Sequence, residues 1–254
     1  MNFQTDLEKA EVVIVPIPEE KTTSYIKGTS KAPESILNAS CELENYNLET
    51  NSEPYLKGIH TTKPIQIQKF ENYINKLIIS LGGEHSITPE IIKKIDNKNL
   101  SILHLDAHAD LKDIFEDNKN SHACSMRRTY EINKNLVQVG IRSLDKEELN
   151  FIKKNKIKTF FNKNIKTNKI IKNLKENVYI SLDLDIFDPS IIPSVGNPEP
   201  NGLNFEQVNN LLKQVFKKRK VVGIDFVEFS PRKSDLNSAY LIAKLIYNCI
   251  GYYK

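Results

Sequence analysis

Short apolar runs alternate with longer amphipathic segments along most of the chain. Runs of about four to eight residues rich in isoleucine, valine and leucine are typical of buried strands. Such runs lie at about 11–16, 77–80, 101–105, 136–141, 157–161, 177–182 and 220–226. Segments with helical spacing of apolar residues lie between most of them. This strand–helix alternation predicts an α/β fold with a mostly parallel sheet.

Local signals mark where several helices begin. Pro33 occupies a first helical turn, and Thr88-Pro-Glu begins a second helix. Asp145 precedes a charged amphipathic helix, and Asn204 can cap a helix that carries an apolar stripe. The last helix, at about 236–250, is apolar over much of its circumference. That pattern fits either burial within a layer or a contact between subunits.

Two polar loops, at about 42–65 and 111–121, are longer than most connections. Loops of more than about 12 residues are usually functional or mobile. The second loop directly follows the candidate ligand residues described below. We therefore expect it to border a substrate.

The composition is that of an ordinary soluble chain, with 39% hydrophobic and 27% charged residues and a net charge of +4. Its 254 residues fit a single domain covering 1–254. The basic runs at 153–156 and 217–220 are short and lack interleaved aromatic residues. We interpret them as solvated helix ends, so no nucleic-acid partner is expected.

Targeting signals and cysteines bear on location. The chain has no run of about 20 apolar residues and no secretory hydrophobic region, so no membrane association is expected. Cys41, Cys124 and Cys249 are far apart and match no zinc or redox spacing. Sparse thiols are typical of a reducing compartment, and a cytoplasmic location is expected.

The candidate chemistry begins where the apolar run at 101–105 ends. Asp106, His108 and Asp110 follow it, spaced two residues apart. In an extended chain, side chains two apart point the same way. The three groups can therefore converge on one point at the end of a strand.

Two further segments supply similar groups. Asp183 and Asp185 share a face at the end of the run at 177–182, and His85 lies in a glycine turn after the run at 77–80. Each motif alone is weak, but all three lie at strand ends, where open α/β sheets place their sites. Two histidines and four carboxylates suit two hard divalent cations that share bridging carboxylates.

These motifs, in this order and spacing, resemble the ureohydrolase family of arginases and agmatinases. The resemblance covers nearly the whole chain, including the opening segment from Val12 to Pro33. Its principal motifs are Gly82-Gly-Glu-His-Ser86, Asp106-Ala-His-Ala-Asp110, Ser181-Leu-Asp-Leu-Asp-Ile-Phe-Asp-Pro189 and Gly223-Ile-Asp-Phe-Val-Glu-Phe-Ser-Pro231.

The resemblance implies a three-layer α/β/α fold of the arginase type and two Mn²⁺ ions per chain. His85 and Asp110 would bind one ion, and His108 and Asp185 the other. Asp106 and Asp183 would contact both ions. Spacing alone does not separate bridging from terminal ligands.

The resemblance also implies three catalytic residues. Asp110 would accept a hydrogen bond from the attacking hydroxide, and Glu228 would orient the substrate guanidinium. His122 would shuttle a proton near the leaving amine, a task that histidine performs more often than any other side chain. Without the resemblance, we would interpret Glu228 as a surface carboxylate and His122 as a loop or helix-cap histidine.

Three further candidates are not assigned as metal ligands. His104 lies inside a strand and is interpreted as a core histidine or a support for the ligands. His60 has no ligand-like neighbours and is expected to be exposed. Asp225 is expected to face the interior or to support the site from behind the ligands.

Hydrolysis of a guanidinium group needs a strong nucleophile because resonance makes its carbon a poor electrophile. Two metals roughly 3.5–4 Å apart can hold a bridging hydroxide, since metal binding lowers the pKa of water from about 15.7 to around 7. The predicted reaction is therefore attack of such a hydroxide on a guanidino compound.

Branch-specific residues favour agmatine as the substrate. Ser121-His-Ala-Cys with Met126-Arg-Arg resembles agmatinases, whereas Leu111-Lys-Asp-Ile replaces the Asn-Thr-Pro stretch of arginases. The segment at 196–203 resembles the agmatinase loop, from which Asn197 and Asn201 depart. Aminopropylagmatine, guanidinobutyrate, arginine and formiminoglutamate stay open.

Two other classes of function compete with this one. A metal-dependent phosphoesterase generally needs a Gly-Asn-His-type element, which the sequence lacks. A catalytically inactive family member could act as a scaffold, but the intact ligand set argues against it. The resemblance further implies a homo-oligomer, either a trimer or a hexamer. Zinc, cobalt or iron could replace manganese in vitro.

Overall fold

One sheet of eight parallel strands forms the centre of the protein in a computed structural model, which describes residues 4–95, 99–162 and 165–254. The strands are β1 (Val12–Ile17), β2 (Ile59–Thr61), β3 (Leu77–Gly82), β4 (Leu100–Leu105), β5 (Leu136–Ile141), β6 (Lys158–Phe161), β7 (Asn177–Asp183) and β8 (Lys220–Val227). Their order across the sheet is β2-β1-β3-β8-β7-β4-β5-β6. The seven predicted strands are confirmed to within two residues at each end.

The helices in the described ranges connect these strands. They are α1 (Ala32–Ser40), α2 (Ile87–Lys94), α3 (Ser125–Ile132), α4 (Lys146–Asn155), α5 (Thr167–Lys172), α6 (Phe205–Lys218) and α7 (Asn237–Tyr252). Asp145 and Asn204 form capping boxes at the starts of α4 and α6. The predicted cap at Asn204 and the predicted helix after Asp145 are confirmed. None of the described helices combines the length and the apolarity that crossing a bilayer requires.

The two faces of the sheet bury separate apolar clusters. Along β1, Val12 and Ile14 belong to the cluster that includes residues of α1, α5, α6 and α7. Val13 and Val15 belong to the other cluster, with residues of α2, α3 and α4. Successive side chains of a strand point to opposite faces, so the continuous apolar runs come from burial on both sides. The arrangement is the predicted three-layer α/β/α fold.

The periphery of the sheet departs from the sequence-based expectations at β2 and at His60. The loop predicted at 42–65 contains β2, which pairs with the edge of β1. His60, expected to be exposed, lies in β2 and is half-buried, with Nδ1 2.8 Å from the Thr5 carbonyl oxygen. Helix α7 packs against α1 and α6, which is the burial alternative of the two considered.

Candidate metal centre and active site

The candidate site lies at the carboxyl ends of four neighbouring strands, β3, β8, β7 and β4. His85 follows β3, Glu228 follows β8, Asp183 ends β7, and Asp106 follows β4. Parallel strands bring their carboxyl ends to the same edge of a sheet. Segments that are far apart in sequence therefore contribute side chains to one cluster.

The turn after β3 depends on glycine. A Cβ at Gly83 would lie 2.0 Å from the Glu19 carbonyl oxygen, and one at Gly82 would lie 2.5 Å from Ile87 Cδ1. Only glycine lets the segment after β1 approach this closely. The turn thereby brings His85 to the cluster and holds residues 19–24 beside it.

His85 is the centre of one half of the cluster. Its Nδ1 lies 3.1 Å from Asp110 Oδ2, and 3.3 Å from an oxygen of Asp106 and of Asp183. This buried atom has no hydrogen-bond partner among the residues that the structure describes. One imidazole nitrogen without a partner and three carboxylates that face it form a donor set that suits a divalent cation.

A buried chain of hydroxyls orients the His85 ring. Its Nε2 lies 2.8 Å from Ser181 Oγ, which donates a 2.8 Å hydrogen bond to Asp225. Asp225 also accepts from Thr88 Oγ1 and from the Tyr179 hydroxyl, each at 2.9 Å. Asp225 is thus a buried support behind the site, as the sequence suggested. The arrangement leaves the Nδ1 lone pair to face the carboxylates.

His108 and Asp185 form the other half. His108 Nδ1 lies 2.7 Å from Asp185 Oδ2 and 3.7 Å from Asp106 Oδ1. Although burial acts to lower it, the pKa of His108 is raised to about 11 by the facing Asp185. Asp106 therefore stands between the two histidines, a position that suits a ligand shared by two ions.

Like charges dominate this cluster. Burial, followed by the negative charge of Asp185, raises the pKa of Asp106 and of Asp183 well above the usual carboxyl range. Buried carboxylates are costly unless paired or bound to metal. Divalent cations would offset both the desolvation and the mutual repulsion, so the residues present fit a metal centre.

His104 has a different environment. Its Nε2 lies 2.7 Å from Asp106 Oδ2, and Gln138 Nε2 lies 3.1 Å from its Nδ1. Burial, followed by the charge of His85, lowers the pKa of His104 to about 3. His104 lies close enough to join a metal-binding group with His85, Asp106 and Asp110. Because both of its nitrogens already have partners, we interpret it as a neutral support for Asp106.

Asp110 and Glu228 both have left-handed backbone conformations, with φ of 52° and 64°. Such values are uncommon for residues other than glycine, and they cluster at functional sites. The Glu228 carboxylate accepts a 2.7 Å hydrogen bond from the His85 backbone N–H. Burial, followed by the charge of Asp183, raises the pKa of Glu228 well above the usual range.

A cavity of about 310 Å³ opens onto these residues. His122 lines it and packs edge-on against Phe115, with ring centroids 5.9 Å apart. Lys112 and Phe115 also line it, so the loop at 111–121 borders the cavity. His122 thus shares one cavity with the metal cluster and Glu228.

Sequence analysis missed three acidic groups of this cavity as site residues: Asp145, Glu148 and Glu199. Lys112 forms an ion pair with Asp145, and Glu148 accepts hydrogen bonds from the backbones of Leu111 and Asp145. From the sequence, Asp145 was recognised only as the residue that precedes a helix. The capping box would have drawn attention to Glu148, but neither residue carries a sequence signal for a cavity.

Arg142 fixes the loop that carries Glu199. Its guanidinium donates hydrogen bonds to the carbonyl oxygens of Glu199 at 2.9 Å, of Pro200 at 3.0 Å and of Asp185 at 2.7 Å. The loop and a proposed metal ligand are therefore held by one side chain. Glu199 Oε1 lies 3.8 Å from His108 Nε2.

Comparison with known proteins agrees with this geometry. The model of the arginase family matches residues 10–251. The chain belongs to the arginase family. It is therefore a ureohydrolase, a hydrolase that acts on the C–N bonds of amidines, and its class of substrate is a guanidino compound. The family has binuclear metal centres, and the cluster around His85 and His108 can hold metal.

Individual members of the arginase family resemble the chain over almost its full length. An N(1)-aminopropylagmatine ureohydrolase of Thermus thermophilus is 36% identical over 97% of this chain and 92% of its own. The agmatinase of Pyrococcus horikoshii is 31% identical over 97% of this chain and 93% of its own.

Solved structures show the same fold. The crystal structure of the agmatine ureohydrolase of Thermoplasma volcanium superposes with a TM-score of 0.90 at 31% identity. The match covers 98% of this chain and 91% of that one. The predicted arginase-like α/β fold is confirmed.

Proposed function

We propose that this ureohydrolase hydrolyses a guanidino compound with a cationic polyamine tail, N1-aminopropylagmatine first and agmatine second. The observation that carries this proposal is the carboxylate of Glu199, which lines the same cavity as the metal cluster together with the acidic groups Asp145 and Glu148. A carboxylate in a partly closed cavity favours ammonium over carboxylate tails. The relatives that act on aminopropylagmatine and agmatine support the same tail.

Two manganese ions fit the donor set. His85 and Asp110 would hold one, His108 and Asp185 the other, and Asp106 and Asp183 would contact both. Oxygen-rich ligation with two imidazoles suits Mn²⁺. When bound, the pair supplies a nucleophilic water of lowered pKa and positive charge that stabilises the transition state.

The protein residues provide orientation and proton transfer. Glu228 binds the substrate guanidinium and directs its carbon towards the cluster. Asp110 accepts a hydrogen bond from the attacking water, whose oxygen bonds to the guanidinium carbon. As the C–N bond breaks, the two protons of that water pass to the leaving nitrogen, the last of them through His122. The products are urea and a protonated polyamine.

The acidic groups of the cavity select the tail. Lys112 neutralises Asp145, while the partner of Glu199 among the described ion pairs is His108, at 3.8 Å, which would be neutral as a metal ligand. Glu199 is therefore the group that meets an ammonium of the tail. If arginine were the substrate, its carboxylate would face the carboxylates of the cavity. Each buried polar group left unpaired would make the binding free energy less favourable by about 1–3 kcal/mol.

Urea release from four substrates tests the proposal. The purified protein, loaded with Mn²⁺, is given aminopropylagmatine, agmatine, guanidinobutyrate and arginine in turn. We expect two manganese ions per chain and a kcat/KM that falls in that order, with arginine at least tenfold below agmatine, roughly the cost of one unpaired group. A preference for guanidinobutyrate or arginine would contradict the tail assignment. Absence of both metal and urea would favour the scaffold alternative.

The predicted homo-oligomer, a trimer or hexamer, and the cytoplasmic location stay predictions of the sequence.

A further inference from the structure

A segment after β1 that contains none of the candidate site residues reaches His122. The His122 backbone N–H donates a 2.9 Å hydrogen bond to Thr22 Oγ1. The same hydroxyl lies 3.4 Å from His122 Nδ1, and Ser24 Oγ lies 3.3 Å from His122 Nε2. Ser121 Oγ, from the residue before, lies 3.3 Å from Nδ1. Two alternate residues of one segment therefore flank the histidine ring.

Glu84 anchors this segment. It is fully buried and belongs to the glycine turn that carries His85. Its carboxylate accepts hydrogen bonds from the backbone N–H groups of Lys21 at 2.7 Å and of Thr22 at 2.5 Å. It also accepts from the hydroxyls of Thr22 at 3.0 Å and of Ser86 at 2.5 Å. Four donors hold the carboxylate, and through it Thr22, in one position.

The Thr22 hydroxyl is the connecting atom. It carries a single proton, which it donates to Glu84, an acceptor. Its lone pairs remain for the His122 backbone N–H and for a protonated Nδ1. Ser121 Oγ, 3.3 Å from Nδ1, can accept the same proton. The fixed direction of the Thr22 hydroxyl therefore favours the His122 tautomer with the proton on Nδ1. Nε2, beside Ser24, then keeps its lone pair or carries the transferable proton.

We infer that Thr22, anchored by Glu84, is a positioning residue for His122 and sets its place and tautomer. The inference rests on the proposed role of His122 as the proton shuttle. It adds a contribution from the N-terminal segment to a reaction whose other groups all follow strands β3, β4, β7 and β8. Gly83 is required for this link, because a side chain there would displace the segment at Glu19.

Thr22→Val tests the inference because it removes the hydroxyl and keeps the shape. General acid–base groups contribute about 10²–10⁴-fold to rate. With the proposed substrate and manganese present, we expect kcat to fall about tenfold, with KM and metal content unchanged. Thr22→Ser keeps a hydroxyl at this position, so its kcat should stay near the wild-type value. Thr23→Val is the matched control, since no described hydrogen bond joins Thr23 to His122, and it should behave as wild type.

A double-mutant cycle separates positioning from general damage. In a His122→Ala background, adding Thr22→Val should change kcat less than about twofold, because residues that act as a unit are not additive. An equal further loss of kcat in that background would overturn the inference. So would a Thr22→Val variant that retains wild-type kcat or that loses metal.

A tautomer measurement does not depend on turnover. The chain has five histidines, so ¹⁵N-labelled imidazole signals of the protein loaded with diamagnetic Zn²⁺ can be assigned with His122→Ala. We expect the Nδ1–H tautomer in wild type and in Thr23→Val, and its partial loss in Thr22→Val. Identical His122 signals in wild type and Thr22→Val would overturn the inference. Absence of urea release with the expected tautomer shift would instead contradict the proposed function alone.

Discussion

The His85 backbone N–H donates a 2.7 Å hydrogen bond to Glu228 Oε1. This bond joins the turn after β3 to the end of β8, two strands that are neighbours in the sheet but distant in sequence. It fixes a carboxylate proposed to bind substrate against a histidine proposed to bind metal. The two proposed roles can be separated experimentally because the bond uses the backbone of His85 and leaves its ring free.

Replacing Glu228 by glutamine should remove the charge and keep an oxygen that accepts the His85 N–H. We expect metal content to stay at the wild-type level and kcat/KM to fall tenfold to about a hundredfold, since hydrogen bonds to charged groups contribute roughly 1.5–3 kcal/mol. Metal analysis and urea release measure the two effects. Glu206→Gln, in the exposed first turn of α6, is the control. Loss of metal from Glu228→Gln would place Glu228 among the ligands.

Removing a shared ligand should cost far more metal than removing a support. Asp183→Ala should lower both metal content and turnover by orders of magnitude. His104→Ala should retain both ions at saturating manganese and weaken their binding about 10–100-fold, because His104 contacts Asp106 and both of its ring nitrogens already have partners. Equal metal contents in the two variants would show that the ligand assignment is wrong.

The hydroxyl chain behind His85 should tune manganese affinity. In Asp225→Asn, an amide group meets three hydroxyl donors, so the His85 ring loses its fixed orientation. We expect the affinity for one of the two ions to fall about 10–100-fold in a calorimetric titration of the metal-free protein. Asp235→Asn is a matched control, since that carboxylate accepts from the hydroxyls of Ser194 and Ser238 at the start of α7. It should lower the melting temperature and leave manganese affinity intact.

Glu199→Gln should affect only substrates with a cationic tail. Arg142 holds the loop through backbone carbonyl oxygens, so the substitution leaves the loop in place. We expect KM for aminopropylagmatine to rise about tenfold. The kinetics of butylguanidine, which has no tail ammonium, should not change. A similar rise in KM for both substrates would mean that Glu199 affects the whole site and does not bind the tail ammonium.

Part of the fold and of the candidate site could be predicted from the sequence because the candidate residues come directly after strands. Asp106, Asp183 and Glu228 each come directly after or at the end of an apolar run, and the period of two brings Asp106, His108 and Asp110 to one side. Strand β2 was not predicted, because its three residues form a strand only through pairing with β1. Helices α3 and α5 are likewise short, and sequence analysis identified no start signal for them.

The contacts of the site depend on the order of strands across the sheet. The apolar runs and the polar residues that end them determine an α/β fold, the kinds of ligand and their position at strand ends. They do not determine that β8 lies between β3 and β7, which puts Glu228 against His85. They also do not show that Glu84 holds Thr22 against His122, or that Glu199 borders the cavity. Local patterns record which face of a strand or helix is buried, whereas these contacts join segments up to 143 residues apart and exist only once the sheet is assembled.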